Sequence, residues 1–340
     1  MPTPPPPPPR KRVTAAMVAE RAGTSIAAVS LVVNGKHRGR ISDENAERVR
    51  AAVAELGYVV DSTASALARG TSDVVVLLAP DLPNPFFGRV INAVQETLGE
   101  RFQLLLFASP TGEQPTVADV RRLAALRPAG LLVSAPAVEF LDDAPAGVPL
   151  VLLDAPGLED RAPAVNYDLA SGVRALIAHL AERGHTVIGY LDGSTPAATY
   201  ELRRTLLEAE AGRHGMTLLT TPQVSSRPDI AEAMAAAAAA LPAWRAAGAT
   251  AVIAASDTLA HGVLAACARA GLRVPEDIAV AGFDDLPASS VTAPALTSVA
   301  LPGDLLGSVA ARLLVSLIDG GDAPETHELA AELVVRASTG

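Results

Sequence analysis

The sequence predicts a small all-α head carrying a helix-turn-helix, followed by a larger α/β core of two doubly wound parallel-sheet subdomains. Three observations carry that expectation. Residues 13–35, VTAAMVAERAGTSIAAVSLVVNG, read as two short helices about a glycine turn. From Val74 onward, short unbroken apolar runs alternate with helical segments. The charge is also divided: residues 1–70 hold ten Lys/Arg against six Asp/Glu, whereas residues 71–340 hold 17 against 31. At 340 residues the chain exceeds one ordinary domain and can bury more than one core.

In the head, Thr14 can cap a first helix with apolar positions Met17, Val18 and Ala22, and Gly23 supplies the left-handed residue that ends it. Thr24 or Ser25 caps a second helix whose expected inner face is Ile26, Val29, Val32 and Val33, and Asn34-Gly35 stops it. In a helix-turn-helix the first helix crosses the phosphate backbone and the second lays its N-terminal side chains in the major groove. A helical hairpin buried in a core has the same spacing, and the basic balance of this end favours the DNA-reading alternative over it. A positively charged loop, KHRGR, comes next. Ser42 then caps a third helix, with Asp43 and Glu44 suited to its positive end and Val49, Val53 and Leu56 turned inward.

Residues 1–12, MPTPPPPPPRKR, read as a disordered Pro-rich and basic tail with no apolar signal core. Residues 59–70 are polar and rich in small side chains, a linker or hinge helix that folds when something docks on it. No apolar run is long enough to span a bilayer, and the single cysteine, Cys267, permits no disulfide framework. The expected setting is therefore cytoplasmic, with no membrane partner.

The core runs VVVLLAP, FQLLLFAS, GLLVSAP, VPLVLLD, TVIGYLDG, MTLLTT, ATAVIAAS and DIAVAGFDD read as strands buried on both faces, and the helices between them imply parallel sheets. Two such sheets side by side form a cleft, and ligands of doubly wound sheets sit beyond the carboxyl ends of the strands. Asp81, Asn84, Ser134, Asp154, Asp192, Ser256, Asp257, Asp284 and Asp285 fall at those ends. An enzyme is one rival reading, since Asp284-Asp285 could do acid-base work. The chain lacks a phosphate-cradling loop, a zinc-spaced His/Cys cluster and a nucleophile elbow, so no catalytic residue, metal or cofactor is expected. An exported binding protein is a second rival, and it would have no use for the basic head.

Taken in order, VAERAGTSIAAVSLVVNGK, RVRAAVAELGY, ALARG, PDLPNPFF, HLAERGHTVIGYL, ASDTLAHGVL, GLRVPEDIAVAGFDD, PALTSV and ELVVRASTG resemble segments of the LacI/GalR family of bacterial transcription regulators. The resemblance implies a periplasmic-binding-protein-like core, a homodimer, an inverted-repeat double-stranded DNA operator and a small effector, by default a carbohydrate. It implies a regulator, most simply a repressor, whose operator affinity changes when the effector closes the cleft. The domains implied are a DNA-binding head over 13–58, a hinge over 59–70 and a core over 71–340. Within the core, an N-subdomain covers about 71–166 and 295–325, and a C-subdomain about 167–294 and 326–340.

The resemblance places Ile26, Ala27 and Leu31 at base-reading positions, where many members carry polar side chains. Apolar groups touch a thymine methyl but make no bidentate hydrogen bonds, so weak direct readout is expected here. Ser25, Ser30 and Lys36 are expected mainly to grip phosphates, with Asn34 fixing the helix end and Thr14 also on the DNA-binding side. His37, Arg38 and Arg40, in a loop longer than usual, would supply compensating contacts, and Leu67 would wedge into the minor groove. In the cleft, Asn84, Phe86, Phe87, Asp154, Ser256, Asp257 and Asp284 match effector-contact positions. The arginine often found before the helix at Leu206 does not align. Tyr200 and Leu202 stand near its expected place, with Arg203 and Arg204 just beyond, and Tyr200 and Arg203 are the effector candidates. Carboxylate acceptors with aromatic faces suit a sugar, although Asp257 and Asp285 could equally cap helices, and Phe283 fits a core.

Overall fold

The computed structural model describes residues 13–33, 35–58, 72–79, 84–108, 117–136, 138–194, 198–322 and 326–340. The chain divides into two compact units, residues 1–70 and 71–340.

The first unit is built from α1 (Ala15–Ala22), α2 (Ile26–Val33) and α3 (Asp43–Leu56). Thr14 caps α1, its hydroxyl accepting from the Met17 N–H at 3.4 Å, and Gly23 ends it in the left-handed region at φ 63°. The two helices on either side of that turn meet at 102°, within the range of helix-turn-helix pairs. Ser42 caps α3 by accepting from the Asn45 N–H. Val18, Ala19, Ala22, Val29, Val32, Ala46, Val49 and Ala52 make the core between the three helices.

Two expected inner positions are not inner. Ile26 is 55% exposed and Met17 41%. Ile26 opens α2 one turn ahead of Val29, beyond the patch that α1 and α3 cover.

The second unit contains two sheets. The first has the strand order β12-β5-β4-β3-β1-β2, where β1 is Val74–Ala79, β2 Gln103–Ala108, β3 Gly130–Ser134, β4 Leu150–Leu153, β5 Ala164–Asp168 and β12 Thr326–Ala330. The second has the order β13-β11-β10-β9-β6-β7, where β6 is Val187–Gly193, β7 Thr217–Leu219, β9 Ala251–Ala254, β10 Ala279–Asp284, β11 Thr297–Ala300 and β13 Glu332–Val334. A two-residue strand, β8 (Ser225–Ser226), pairs with the end of β6. All pairs are parallel except β11 with β13. Strands β3 and β9 are buried along their whole length, which is why their sequences run apolar without alternation.

The chain passes between the sheets after β5, after β11 and after β12. The register corrects the subdomain limits expected from the sequence. Thr297–Ala300 pairs with β10, and Thr326–Ala330 pairs with β5. Three crossings are expected, near Asp168, Thr297 and Leu329, and the limits of about 295 and 326 shift only slightly, to just beyond Ala300 and Ala330, because a strand belongs to the sheet that satisfies its backbone.

Between the strands lie α4 (Pro85–Leu98), α5 (Val117–Ala125), α6 (Val138–Asp142), α7 (Leu169–Glu182), α8 (Ala198–Arg213), α9 (Ile230–Ala246), α10 (Asp257–Arg269) and α11 (Gly303–Ile318). The Ala-rich tract is α9, whose inner face is Ala233, Ala237, Ala240, Leu241 and Trp244. Its small side chains let α10 approach so closely that a Cβ at Gly262 would collide with Ala233. Cys267, on α10, is fully buried, and burial pushes its thiol up to about 11, so it packs as an apolar group. Among the described residues, no single helix is long and apolar enough to cross a membrane.

Candidate functional site

On the head, Ser25, Ile26, Ala27 and Ser30 share the exposed side of α2, and Leu31 is half-buried beside them. Ser25, not Thr24, makes the cap: its hydroxyl accepts from the Ala28 N–H at 3.1 Å. Thr14, Lys36, Arg38 and Arg40 are exposed. His37 is not open in the same way. The Arg50 guanidinium lies 2.9 Å from His37 Nε2, and since guanidinium only donates, the imidazole accepts. His37 therefore ties the basic loop to α3. Asn34 and Leu67 lie outside the described residues.

The sequence reading missed Arg48. From α3 its guanidinium donates to the Ala22 carbonyl at 2.7 and 3.1 Å and to the Gly23 carbonyl at 3.0 Å. These are carbonyls at the end of α1 that need donors, and Arg48 fixes the turn between α1 and α2 by supplying them. A cation on the third helix with no assigned partner was the available signal.

In the core, the strand ends gather a buried polar group from both sheets. Asp154 follows β4 and Asp284 ends β10, each with positive φ, 46° and 104°. Thr199 and Arg203 come from the first turns of α8. Thr199 donates to Asp154 at 3.2 Å, Arg203 donates to the Ala255 carbonyl at 2.6 Å, and Arg203 stands 3.8 Å from the Asp284 carboxylate. The Arg203 guanidinium also lies over the Phe283 and Tyr200 rings, at 5.2 and 5.6 Å from their centroids. Phe283 is fully buried, a core residue against which Arg203 lies.

Arg203 is 4% exposed and Asp284 3%. Burial raises the Asp284 carboxyl to about 8, with Arg203 opposing the rise. Burial also raises Asp154, again opposed by Arg203. For Arg203, burial would lower the guanidinium, but Asp284 and Asp154 outweigh it and hold the pKa above its ordinary value. Tyr167, on β5, titrates well above its usual range, through burial and then the nearby Asp154 and Asp284. The Tyr167 hydroxyl and Arg203 Nε are buried without a hydrogen-bond partner among the described residues, and such groups call for a ligand or water. Two carboxylates, a guanidinium and a phenol make a set that accepts and donates to a hydroxyl-bearing molecule.

Other expected cleft residues are turned to structural use. Asp257 is fully buried, and its carboxylate accepts from the Leu286 N–H at 2.8 Å and the Ser289 and Ser298 hydroxyls at 2.5 and 2.7 Å. It stitches α10 to the loop after β10, so its expected effector contact is corrected: its oxygens are already taken. Burial raises it to about 6, with those hydrogen bonds opposing. Ser256 caps α10 by accepting from the Leu259 N–H. Asp285 pairs with Arg336 at 2.7 Å and caps nothing.

Asn84 caps α4, accepting from the Phe86 N–H at 3.1 Å. Phe86 and Phe87 are buried edge to face at 5.3 Å, and Phe86 packs where Gly303 opens α11. Asp81 lies outside the described residues.

Comparison with known proteins agrees with both halves of this geometry. Residues 14–61 match the model for bacterial regulatory proteins of the lacI family, and residues 177–339 match the periplasmic binding protein-like domain. The HTH-type transcriptional regulator GntR of Pseudomonas aeruginosa is 31% identical, over 95% of this chain and 94% of that one. The HTH-type transcriptional regulator GalR of Escherichia coli is 30% identical, over 94% of this chain and 93% of that one. A crystal structure of the Lac repressor dimer bound to operator and the anti-inducer ONPF superposes with a TM-score of 0.82 at 26% identity, covering 97% of this chain and 99% of that one. A complex of the transcriptional regulator CelR with cellobiose gives a TM-score of 0.69 at 30% identity, covering 96% and 100%. With a helix-turn-helix head and a two-sheet core matched along nearly the whole chain, the protein belongs to the LacI family of bacterial transcriptional regulators.

Proposed function

We propose that this regulator is a cytoplasmic homodimeric repressor that reads an inverted-repeat operator with its two heads and is released or recruited by a neutral polyhydroxylated effector, a sugar or a close relative. The observation that carries the effector reading is the buried Asp154, Arg203 and Asp284 group, drawn from both sheets, in which Arg203 Nε and the neighbouring Tyr167 hydroxyl have no hydrogen-bond partner among the described residues. A ligand that satisfies those atoms binds the closed cleft better than the open one, and that difference in affinity is what shifts a conformational equilibrium. Support for the dimeric and operator-bound state comes from the Lac repressor dimer, and for a sugar from the CelR complex with cellobiose.

Direct readout rests on few groups. Ile26 and Ala27 offer a thymine methyl a partner, while Ser25 spends its hydroxyl on its own helix. Phosphate contacts from Lys36, Arg38 and Arg40 and the shape of the operator carry the remainder.

The test is selection of genomic DNA fragments by the purified protein at near-physiological salt, with and without residues 1–70. The expected result is an enriched imperfect palindrome bound by the intact chain alone. Uniform binding to all fragments overturns the operator reading. An effector found by screening must bind the operator complex with an affinity changed by the same factor by which it changes operator binding; equal affinity with and without operator overturns the allosteric reading.

A further inference from the structure

Next to the buried group, joined to it through Tyr200, the two subdomains enclose a cavity. This cavity of about 690 Å³ is lined by Pro136, Pro156 and Leu158 from one subdomain and by Tyr200, Arg204 and Gln223 from the other. That volume falls in the ordinary range for small-molecule sites. Tyr200 lines this cavity and also touches the buried group. Its ring lies over Gly193, where a Cβ would collide with it, and the Arg203 guanidinium sits on the same ring.

The polar wall of this cavity is built, not incidental. Asp192, at the end of β6, is 1% exposed and accepts from Arg204 at 2.6 Å, Gln223 at 3.1 Å, the Gly193 N–H at 2.8 Å and the Tyr190 hydroxyl at 3.3 Å. With its oxygens occupied, Asp192 serves to hold Arg204 and Gln223 in place. A guanidinium carries five N–H donors, so Arg204 keeps several for a ligand, and Gln223 keeps its carbonyl oxygen as an acceptor. Donors and an acceptor side by side, against proline and leucine walls, suit a pyranose ring, with its hydroxyl edge and C–H faces.

The charge balance narrows the class. Asp154, Asp192, Asp284 and Glu201 stand against Arg203 and Arg204, and each arginine already has a carboxylate beside it, Asp284 for the first and Asp192 for the second. Among the described residues of this cleft neither arginine stands without a carboxylate beside it, so a phosphate or carboxylate on the ligand would have to compete with Asp284 or Asp192 for its cation in a poorly screened site.

We propose that the effector is an uncharged saccharide of two or more rings, one ring held by Asp154, Arg203 and Asp284 and the next by Arg204 and Gln223. This rests on the effector reading above and adds the size and charge of the ligand.

The test is titration calorimetry on the full chain with glucose, galactose, glucose 6-phosphate, cellobiose, maltose, lactose, cellotriose and maltotriose. At least one disaccharide or trisaccharide is expected to bind ten-fold or more tighter than any monosaccharide. Gln223→Ala, a change at an exposed residue, should cost that ligand about ten-fold and a monosaccharide less than two-fold. Arg204→Met should act in the same direction, with circular dichroism checking that the fold is kept. A monosaccharide or the phosphate ester as the tightest ligand overturns the proposal. So does a Gln223→Ala effect equal for one and two rings, or the absence of binding by every saccharide. Monosaccharide binding by the same preparation separates the two readings. If a neutral monosaccharide binds and changes operator affinity while longer saccharides bind no tighter, this inference alone falls. If no saccharide binds although operator is bound, the sugar-effector reading falls with it.

Discussion

The recognition helix of the head and the cleft of the core use their side chains in opposite ways. On α2 the outward groups are small or apolar, Ile26 is more than half exposed, and the Ser25 hydroxyl caps its own helix. In the cleft, charged groups are drawn out of water and held by one another: Arg203 by Asp284 and the Ala255 carbonyl, Arg204 by Asp192. The head therefore separates folding from recognition, since its core of Val18, Val29 and Val49 does not include the residues that would face DNA. The core cannot separate them, because the groups that would meet a ligand also balance each other's buried charge.

The sharpest way to break this comparison is Arg203→Ala. It leaves Asp154 and Asp284 buried without their cation, so the core should lose about 3–5 kcal/mol of stability along with its response to effector. Differential scanning calorimetry with operator-release assays reads both, and a variant with normal stability but no response would show that the core does separate them.

Next in size is Arg48→Ala, which strips donors from the Ala22 and Gly23 carbonyls. A loss of about 1.5–3 kcal/mol should appear in the head alone, as faster hydrogen exchange in α1 and α2 with the core midpoint unmoved.

Ile26→Gln should leave stability within about 0.5 kcal/mol. It should change the preferred base at one operator position by about 1–3 kcal/mol, read by selection from randomised operators. A large stability loss would mean that Ile26 is a core residue after all. Arg38→Ala or Arg40→Ala should each lower the slope of log affinity against log salt by about 0.9 if the side chain meets a phosphate, and an unchanged slope removes the loop from the interface.

The subtlest effect is one of pH. Asp284 titrates at about 8 in the folded protein against an ordinary value of 3.8. Between those values the folded chain holds a proton that the unfolded chain releases. The stability this contributes is fully present below about pH 4 and is lost as pH rises through about 8. Urea melts from pH 5 to 8.5 should show that downward trend, and Asp284→Asn should flatten it.

Much of the head was legible because its determinants are local. Thr14, Gly23, Ser25 and Ser42 act on backbone groups within a few residues, and the spacing of Val18, Ala22, Val29 and Val32 marks the buried stripe. Ile26 fits that spacing too and is exposed, because periodicity gives a direction and says nothing about how far the neighbouring helices extend. The alternation of strands and helices in the core was legible for the same local reason. Strand β5, AVNYD, was not, since its short run with Asn166 and Asp168 lacks the apolar signal and exists through its pairing with β4 and β12.

The cleft divides along the same line. Sequence could place Asp154, Tyr200, Arg203 and Asp284 near strand ends and helix starts, but it left the arginine's place spread over neighbouring positions. On a helix, successive residues point about 100° apart. It took the packing of α8 to turn Arg203 into the buried group and Arg204 toward Asp192. Likewise Asp257 reads as either a ligand contact or a cap, and only the approach of Leu286, Ser289 and Ser298 made it a bracket between segments.

By itself, then, the sequence determined the helix-turn-helix, the two-sheet grammar and the charge division between head and core, because caps, turns and periodicity act over a few residues. Tertiary structure decided which sheet takes Thr297–Ala300 and Thr326–Ala330, which arginine enters the cleft and which carboxylates remain for a ligand, because those depend on burial and hydrogen bonds between segments far apart in the chain.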